Sequence, residues 1–146
     1  MRKNFYEIFE EVEQASDTNA KIAILRKNYT PALIQFFRNV YSPAVQFTVK
    51  KIPAYKPGIY PPGLGETSID MELKTSYLFE DRNPRKPANL AESRVNQILI
   101  QILESLEPKE AKIFESMLQK KIDYPSVSRA LVIQAFPDHA KAAQIV

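Results

Sequence analysis

Few residues in this sequence have types and spacings that could perform catalysis. The single histidine, His139, follows Asp138, and a histidine beside an aspartate can act as a general base held in place by the carboxylate. The chain has no cysteine, and no serine lies in the Gly-x-Ser-x-Gly turn that exposes a nucleophile in many hydrolases. A histidine in such a tail is more commonly a solvated side chain than a catalytic base. We therefore predict no catalytic residue and no enzymatic activity.

Sites for metals and nucleotides need patterns that this sequence lacks. Without cysteine there is no thiolate zinc site, and the chain has neither His-Glu-x-x-His nor an Asp-rich calcium loop with its glycine. The segment Pro62–Glu66 contains two glycines, but no Gly-Lys-Ser/Thr follows them, so we reject it as a phosphate-binding loop. The acidic pairs Glu10–Glu11 and Glu80–Asp81 are typical of solvated helix surface. We predict no metal, no cofactor and no small-molecule substrate.

Positive charge is concentrated in one third of the chain. Residues 1–17 carry a net charge of −3, residues 18–65 carry +7 without any acidic residue, and residues 66–146 carry −1, which together give +3. Such an excess favours a polyanion as the partner. A solvated basic face without a partner explains the same pattern, and the charge distribution alone does not decide between the two.

Within the stretch Thr18–Gly65, three cations are the first candidates for phosphate contacts. Arg38, Lys50 and Lys51 lie at or near the ends of predicted helices, where they can neutralise phosphates. Tyrosines that could hydrogen-bond or stack on a nucleic acid lie between the charges, namely Tyr29, Tyr41, Tyr55 and Tyr60. Three phenylalanines of the stretch are assigned to the hydrophobic core instead: Phe36, Phe37 and Phe47.

A second basic segment runs from Lys120 to Arg129. Lys120 and Lys121 close one predicted helix, and Ser126 caps the next, which also contains Ser128 and Arg129. The free amides at such a helix start could bind a phosphate. Lysines are also favoured at helix C-termini by the macrodipole alone, so a purely structural role stays open.

The elements that must position these residues are helical. Apolar residues recur at helical spacing along almost the whole chain, which predicts an all-α fold with a single compact domain, residues 1–146, of seven to eight short helices. The predicted helices begin near Phe5, Asp17, Pro31, Ala44, Ser68, Asn89, Pro108 and Ser126. The alternation from Val45 to Val49 could also indicate a strand, but without a clear partner strand we favour a helix over Ala44–Lys51.

Two loops and a tail separate or follow these helices. Pro53–Gly65 is rich in proline and glycine, Asp81–Ala88 is basic and contains proline, and residues 138–146 form a weakly specified tail. The N-terminus has no apolar segment typical of a signal peptide. No apolar run approaches the roughly 20 residues of a membrane span. We expect a cytoplasmic protein that makes no membrane contact.

Both basic segments carry a resemblance to a known family. At the N-terminal side the shared landmarks are Asn19–Asn28 with its Ala-Ile-Leu-x-Lys-Asn core, Tyr41-Ser42, Val45–Phe47 and Lys50–Pro53. At the C-terminal side they are a short helix, a turn and a Ser-x-Ser helix with an aromatic-Pro ending, within Phe114–Pro137. With these landmarks the chain resembles the N-terminal, all-helical DNA-binding domain of the T-even phage type of ATP-dependent DNA ligase. The middle of the chain, residues 54–106, is less similar.

The resemblance implies a stand-alone, phage-encoded domain that grips duplex DNA through its sugar-phosphate backbone. In the family a nucleotidyltransferase domain with a Lys-x-Asp-Gly signature follows this domain. Here Lys121–Tyr124 has the lysine and the aspartate but not the glycine, so we interpret it as a look-alike. We expect a non-catalytic duplex-binding protein with little sequence specificity, accessory to phage DNA replication or repair. The expected DNA contacts are Arg38, Lys50, Lys51, Lys120, Lys121, Ser126, Ser128 and Arg129.

A second hypothesis belongs to another class of function. A ligase-like domain without catalysis could be a protein-interaction module that recruits or inhibits a sliding clamp or the host RNA polymerase. The exposed loops Pro53–Gly65 and Arg82–Lys86 are its candidate contact surfaces.

Overall fold

A computed structural model describes residues 3–61 and 64–146 of the chain. Within these ranges the chain forms a single compact all-α domain of eight α-helices and one 3₁₀ segment, as the sequence predicts. In chain order they are α1 (Phe5–Gln14), α2 (Thr18–Lys27), α3 (Pro31–Tyr41), α4 (Ile69–Glu72), the 3₁₀ segment (Leu73–Phe79), α5 (Glu92–Ser105), α6 (Pro108–Leu118), α7 (Arg129–Ala135) and α8 (Pro137–Ala142).

Side-chain caps set the starts of the first helices where the sequence predicts them. The Asp17 carboxylate accepts a hydrogen bond from the Ala20 amide at 2.7 Å, and the Thr30 hydroxyl accepts one from the Leu33 amide at 3.1 Å. Pro31 follows Thr30 as the first residue of α3, where the missing N–H of proline costs nothing. The predicted starts of α2, α3 and α6 are confirmed.

The predicted helix over Ala44–Lys51 is wrong, because these residues form no helix and contain only a turn, an isolated bridge and bends. We call them the extended segment. Phe47 forms an isolated antiparallel bridge with Glu80. The Thr48 amide donates to the Phe79 carbonyl at 2.8 Å, and the Asp81 amide donates to the Gln46 carbonyl at 2.7 Å. Burial alternates along the segment, as expected for a strand-like backbone with one face on the core. The pairing partner is the end of the 3₁₀ segment, which the sequence pattern does not mark as a strand.

Three other boundaries differ from their predictions. α5 begins at Glu92, after Ala91, so Asn89 does not cap it. Ser128, and not Ser126, caps α7, because its hydroxyl accepts from the Leu131 amide at 3.1 Å. The segment predicted as one helix over Ser68–Phe79 starts with a Ser68 cap but becomes 3₁₀ from Leu73.

The predicted tail and the two predicted loops differ in how regular their structure is. The tail predicted over residues 138–146 is instead ordered through α8, and it buries Ala140, Ala143 and Ile145. Asp81–Ala88 forms turns and bends only, as predicted. The described part of Pro53–Gly65 has no helix or strand, while Pro62 and Gly63 lie outside the described residues.

Aromatic side chains fill the centre of the core. Phe9 of α1 packs against Phe36 and Phe37 of α3, with ring centroids 5.8 and 6.1 Å apart, and all three are fully buried. Phe47 is also buried, so the assignment of these phenylalanines of residues 18–65 to the core is confirmed. Burying such a side chain contributes roughly 1.5–3 kcal/mol. Among the helices that the structure describes, none is long and apolar enough to cross a membrane.

Candidate nucleic-acid interface

A groove of about 840 Å³ separates the extended segment from the start of α5. Thr48–Ala54 form one wall, which carries Lys50 and Lys51. Lys86 lines the other wall together with the first residues of α5. Three lysines, distant in sequence, thus lie along one concave surface.

The bridge between Phe47 and Glu80 explains why these lysines meet. With Phe47 pointing into the core, the chain turns outward within three residues, and both Lys50 and Lys51 are exposed. On the partner side Glu80 leads directly into the basic loop. The Lys86 ammonium donates to the Glu80 carbonyl at 2.8 Å, which fixes the loop against the bridge. One short backbone pairing therefore positions both walls of the groove.

Lys50 and Lys51 keep their charges available. Within the described residues neither ammonium makes a hydrogen bond or an ion pair. Lys86 uses a single N–H for the Glu80 carbonyl, and an ammonium group has three. The groove therefore presents unused donors of the kind that phosphate oxygens accept.

A second depression continues this surface. Arg38, Lys74 and Arg85 line it, and the Arg85 guanidinium stacks over the Tyr77 ring, 4.3 Å from its centroid. A third depression, with Arg82 and Lys86 in its lining, shares Lys86 with the groove and Asn83 with the second depression. We call the seven cations of these depressions the basic face: Arg38, Lys50, Lys51, Lys74, Arg82, Arg85 and Lys86.

Four acidic residues lie among the cations of the basic face, which leaves it a positive excess. They are Asp70, Glu80, Asp81 and Glu92. Glu80 is buried, and one of its carboxylate oxygens accepts from the Asn83 amide at 3.2 Å. Glu92 occupies the first turn of α5, whose N-terminus has no side-chain cap.

Lys120 lies close to Arg38 of the basic face, but its ammonium is bonded to the backbone of the chain. Its ammonium donates to the Ser42 and Val45 carbonyls at 2.7 and 2.6 Å, at the start of the extended segment. Burial, together with the nearby Arg38 charge, lowers the pKa of Lys120 to about 8. Its backbone is left-handed, with φ of 61°. These contacts tie Lys120 to the fold rather than to a ligand.

The phosphate seat predicted at Ser126 is occupied by a carboxylate of the chain itself. The Ser126 amide donates to Glu13 at 2.6 Å, and its hydroxyl accepts from the Lys21 ammonium at 3.2 Å. Because Ser126 lies two residues before the Ser128 cap, its amide is not at the helix start that the prediction assumed. The Glu13 carboxylate therefore takes the position beside the Ser126 amide that the sequence suggested for a phosphate.

The remaining predicted contacts are spread over other surfaces. The Arg129 guanidinium donates to the Ile145 carbonyl, and the Ser128 hydroxyl caps α7. Lys121 is exposed in a cavity of about 350 Å³, 3.8 Å from the Asp123 carboxylate. None of them lines a depression of the basic face within the described residues.

The basic face also includes residues that were not predicted from the sequence as DNA contacts. Arg82, Arg85 and Lys86 were expected as protein contacts, and Lys74 was not singled out. The alternation in Val45–Val49 was the signal in the sequence that could have indicated these residues. A strand-like segment needs a pairing partner, and the partner Glu80 leads directly into the loop Arg82–Lys86.

The tyrosines between the charges mainly serve the fold. The Tyr41 hydroxyl donates to the Val127 carbonyl at 2.5 Å, and burial raises its pKa to about 12. Tyr55 donates to the Glu115 carboxylate; burial, and then this carboxylate, raise its pKa. Tyr29 is exposed, but its ring lies 4.9 Å from that of His139. Stacking on a nucleic acid therefore has little support from these side chains.

His139 is part of an aromatic cluster. Besides Tyr29, it contacts the Phe136 ring, with centroids 6.1 Å apart. Throughout residues 3–61 and 64–146, no group of three or more His, Cys, Asp or Glu side chains could hold a metal ion.

The fold and the basic face together define a small all-helical domain with a cationic groove. The chain belongs to DUF6433, a family of unknown function, whose model matches residues 8–124. This range includes both walls of the groove. Neither a curated protein nor a solved structure matches the chain.

Proposed function

We propose that this protein is a non-catalytic, duplex DNA-binding domain that contacts the phosphate backbone through its basic face. The observation that carries the proposal is the convergence of Lys50, Lys51 and Lys86 on one groove. Two of these ammonium groups have no partner among the described residues. Unpaired lysines in a groove are the usual means of binding a polyanion without reading its sequence.

The biological setting of the proposal comes from the resemblance to the DNA-binding domain of T-even phage-type ligases. In this interpretation the chain is a phage protein of the host cytoplasm that assists DNA replication or repair. The interface differs in detail from the one expected from the sequence. Arg82, Arg85 and Lys86 replace Lys120, Ser126 and Arg129 as the second set of contacts.

A fluorescence anisotropy titration with a labelled duplex of arbitrary sequence tests this function. We expect binding at 50 mM salt that weakens about 500-fold by 200 mM, since about five phosphates would be neutralised. A second duplex of unrelated sequence should bind equally well. Absence of duplex binding at 50 mM salt would refute the proposal.

Charge reversal locates the interface. Lys50→Glu with Lys51→Glu should abolish binding while the thermal unfolding midpoint stays near that of the native chain. The matched control is Lys27→Glu with Lys141→Glu, two lysines that are exposed and lie off the basic face. An equal loss of binding in the control would show that net charge, rather than the groove, is responsible.

A protein-interaction module is the second candidate function. It is favoured by Ile59 and Leu64 of the Pro53–Gly65 loop, which are 95% and 68% exposed. Exposed apolar side chains on a loop can anchor a protein partner. Purified sliding clamp and purified host RNA polymerase, each tested by surface plasmon resonance without DNA, provide the measurement. Ile59→Ser with Leu64→Ser should remove binding, and no response from either partner would refute this candidate.

A further inference from the structure

Two glutamates at the start of α6 are buried without full pairing. Glu107 and Glu110 are 4% and 2% exposed, and one carboxylate oxygen of each, Oε2, has no hydrogen-bond partner within the described residues. Glu107 Oε1 accepts from the Lys109 amide at 3.0 Å as the cap of α6. A buried carboxylate oxygen without a donor is costly when it is charged. This is unusual for a core position.

The groups that face Glu110 increase this cost. The carboxylates of Glu107, Asp70 and Glu7 all disfavour its ionisation, and among its influences only the Ile69 backbone favours it. Tyr6 of α1 faces the same cluster, and its pKa is raised by burial and then by Glu107. The nearest lysine along the helix, Lys109, directs its ammonium to Glu10 at 3.5 Å and over the Tyr6 ring. Three neighbouring carboxylates therefore disfavour the ionisation of Glu110.

The chain packs tightly around this cluster. A Cβ atom on Gly65 would lie 2.5 Å from the Glu107 amide nitrogen and 2.9 Å from the Ser105 carbonyl oxygen. The Thr67 amide donates to that same carbonyl at 3.3 Å. Residues 65–67 thus cover the junction between α5 and α6.

We propose that Glu110, buried beside Glu107, is a proton-binding site that makes the packing at the junction of α5, α6 and α4 sensitive to pH. With a proton on Glu110, the negative charge of the cluster falls. Loss of that proton leaves a buried negative charge that the neighbouring carboxylates disfavour. The junction and the covering residues 65–67 then loosen.

The direction of the effect follows from linkage. Burial, ahead of the neighbouring carboxylates, raises the pKa of Glu110 to about 7 from its ordinary value of 4.5. The folded state therefore binds more protons than the unfolded state between these two values. Stability is greatest below about pH 4.5 for this group and is lost as the pH rises through about 7.

Urea denaturation of the whole chain at pH 5 and pH 8 tests the proposal. The unfolding equilibrium constant of the native chain should rise on the order of a hundredfold between these two pH values through this group. Glu110→Gln mimics the protonated form and should remove most of that rise. The control is Glu92→Gln, because Glu92 also lies in the first turn of a helix but is exposed. The control should keep the full rise.

A direct readout covers the case in which Glu110→Gln does not fold. Carboxyl ¹³C NMR of the native chain should show one glutamate that titrates near pH 7, while the amides of Thr67 and Ala111 should exchange faster at pH 8 than the pH alone requires. A pH dependence that persists in Glu110→Gln would overturn the proposal. So would the titration of every glutamate below pH 5.

Discussion

The Lys120 ammonium donates to the Val45 carbonyl at 2.6 Å and so joins the end of α6 to the extended segment of the groove. The same ammonium donates to the Ser42 carbonyl at 2.7 Å. Both carbonyls lie within the five residues before the bridge at Phe47. A lysine that the sequence suggested as a phosphate contact therefore holds the backbone that presents Lys50 and Lys51.

Replacement of Lys120 separates positioning from contact. Lys120→Met should reduce the free energy of unfolding by about 1–3 kcal/mol, since two carbonyls lose a charged donor. DNA affinity should fall, but the slope of log K against log salt should stay unchanged, because no phosphate contact is lost. The matched control is Lys121→Met, an exposed lysine next in the chain. A reduced slope in Lys120→Met would mean that Lys120 contacts phosphate after all.

The slope of log K against log salt also distinguishes the loop Arg82–Lys86 from the segment Lys120–Arg129 as the DNA contact. Arg82→Ala with Arg85→Ala should lower the slope by about 1.8, since each phosphate contact contributes roughly 0.9. Lys121→Ala with Arg129→Ala should leave the slope as it is in the native chain. The measurement is the anisotropy titration at four salt concentrations. The reverse ranking would return the interface to the segment from Lys120 to Arg129.

The helix starts show how much of this fold follows from local sequence. Thr30 with Pro31 sets the start of α3 through a cap that involves only the next three residues, and such signals can be interpreted without any tertiary structure. The extended segment could not be predicted in the same way. Its helix-or-strand choice depends on the pairing of Phe47 with Glu80, which lies far along the chain and in no regular strand.

The candidate site likewise combines features that can be predicted from local sequence with features that depend on contacts between distant residues. The exposure of Lys50 and Lys51 fits the charge pattern, because an acid-free basic stretch is readable from the sequence. The uses of Lys120 and Ser126 are not readable there, since their partners are Val45 and Glu13, and no local signal marks these pairs. A lysine or arginine is therefore a candidate phosphate contact only if the structure shows that its donors are not already bonded to a carbonyl or carboxylate of the chain.

The contact between Glu13 and Ser126 should be important for the packing of α1 against the segment before α7. Glu13→Ala removes a charged acceptor from the Ser126 amide and should lower the free energy of unfolding by about 1–3 kcal/mol. As a control, Glu11→Ala breaks only the partly exposed contact with Lys3 and should cost less than about 1 kcal/mol. Chemical denaturation of both variants gives the comparison. Equal losses would show that the Ser126 amide gains nothing special from Glu13.

Glu110 and Lys120 should together give a minimum in the pH dependence of stability. The raised pKa of Glu110 removes stability as the pH increases to about 7. The pKa of Lys120 is lowered to about 8 from its ordinary value of 10.5, so above about pH 8 the folded state binds fewer protons than the unfolded state. Stability should then rise again with pH, until the raised pKa of Tyr41 opposes the rise above about pH 10.

Urea denaturation from pH 5 to pH 10 should locate this minimum between about pH 7 and pH 8. The two arms of the curve have different causes and should disappear separately. Glu110→Gln should flatten the arm on the acid side, and Lys120→Met should flatten the arm on the alkaline side, because each variant removes one titrating group. A variant that flattens both arms would contradict the assignment, since the two groups lie in separate clusters and should titrate independently.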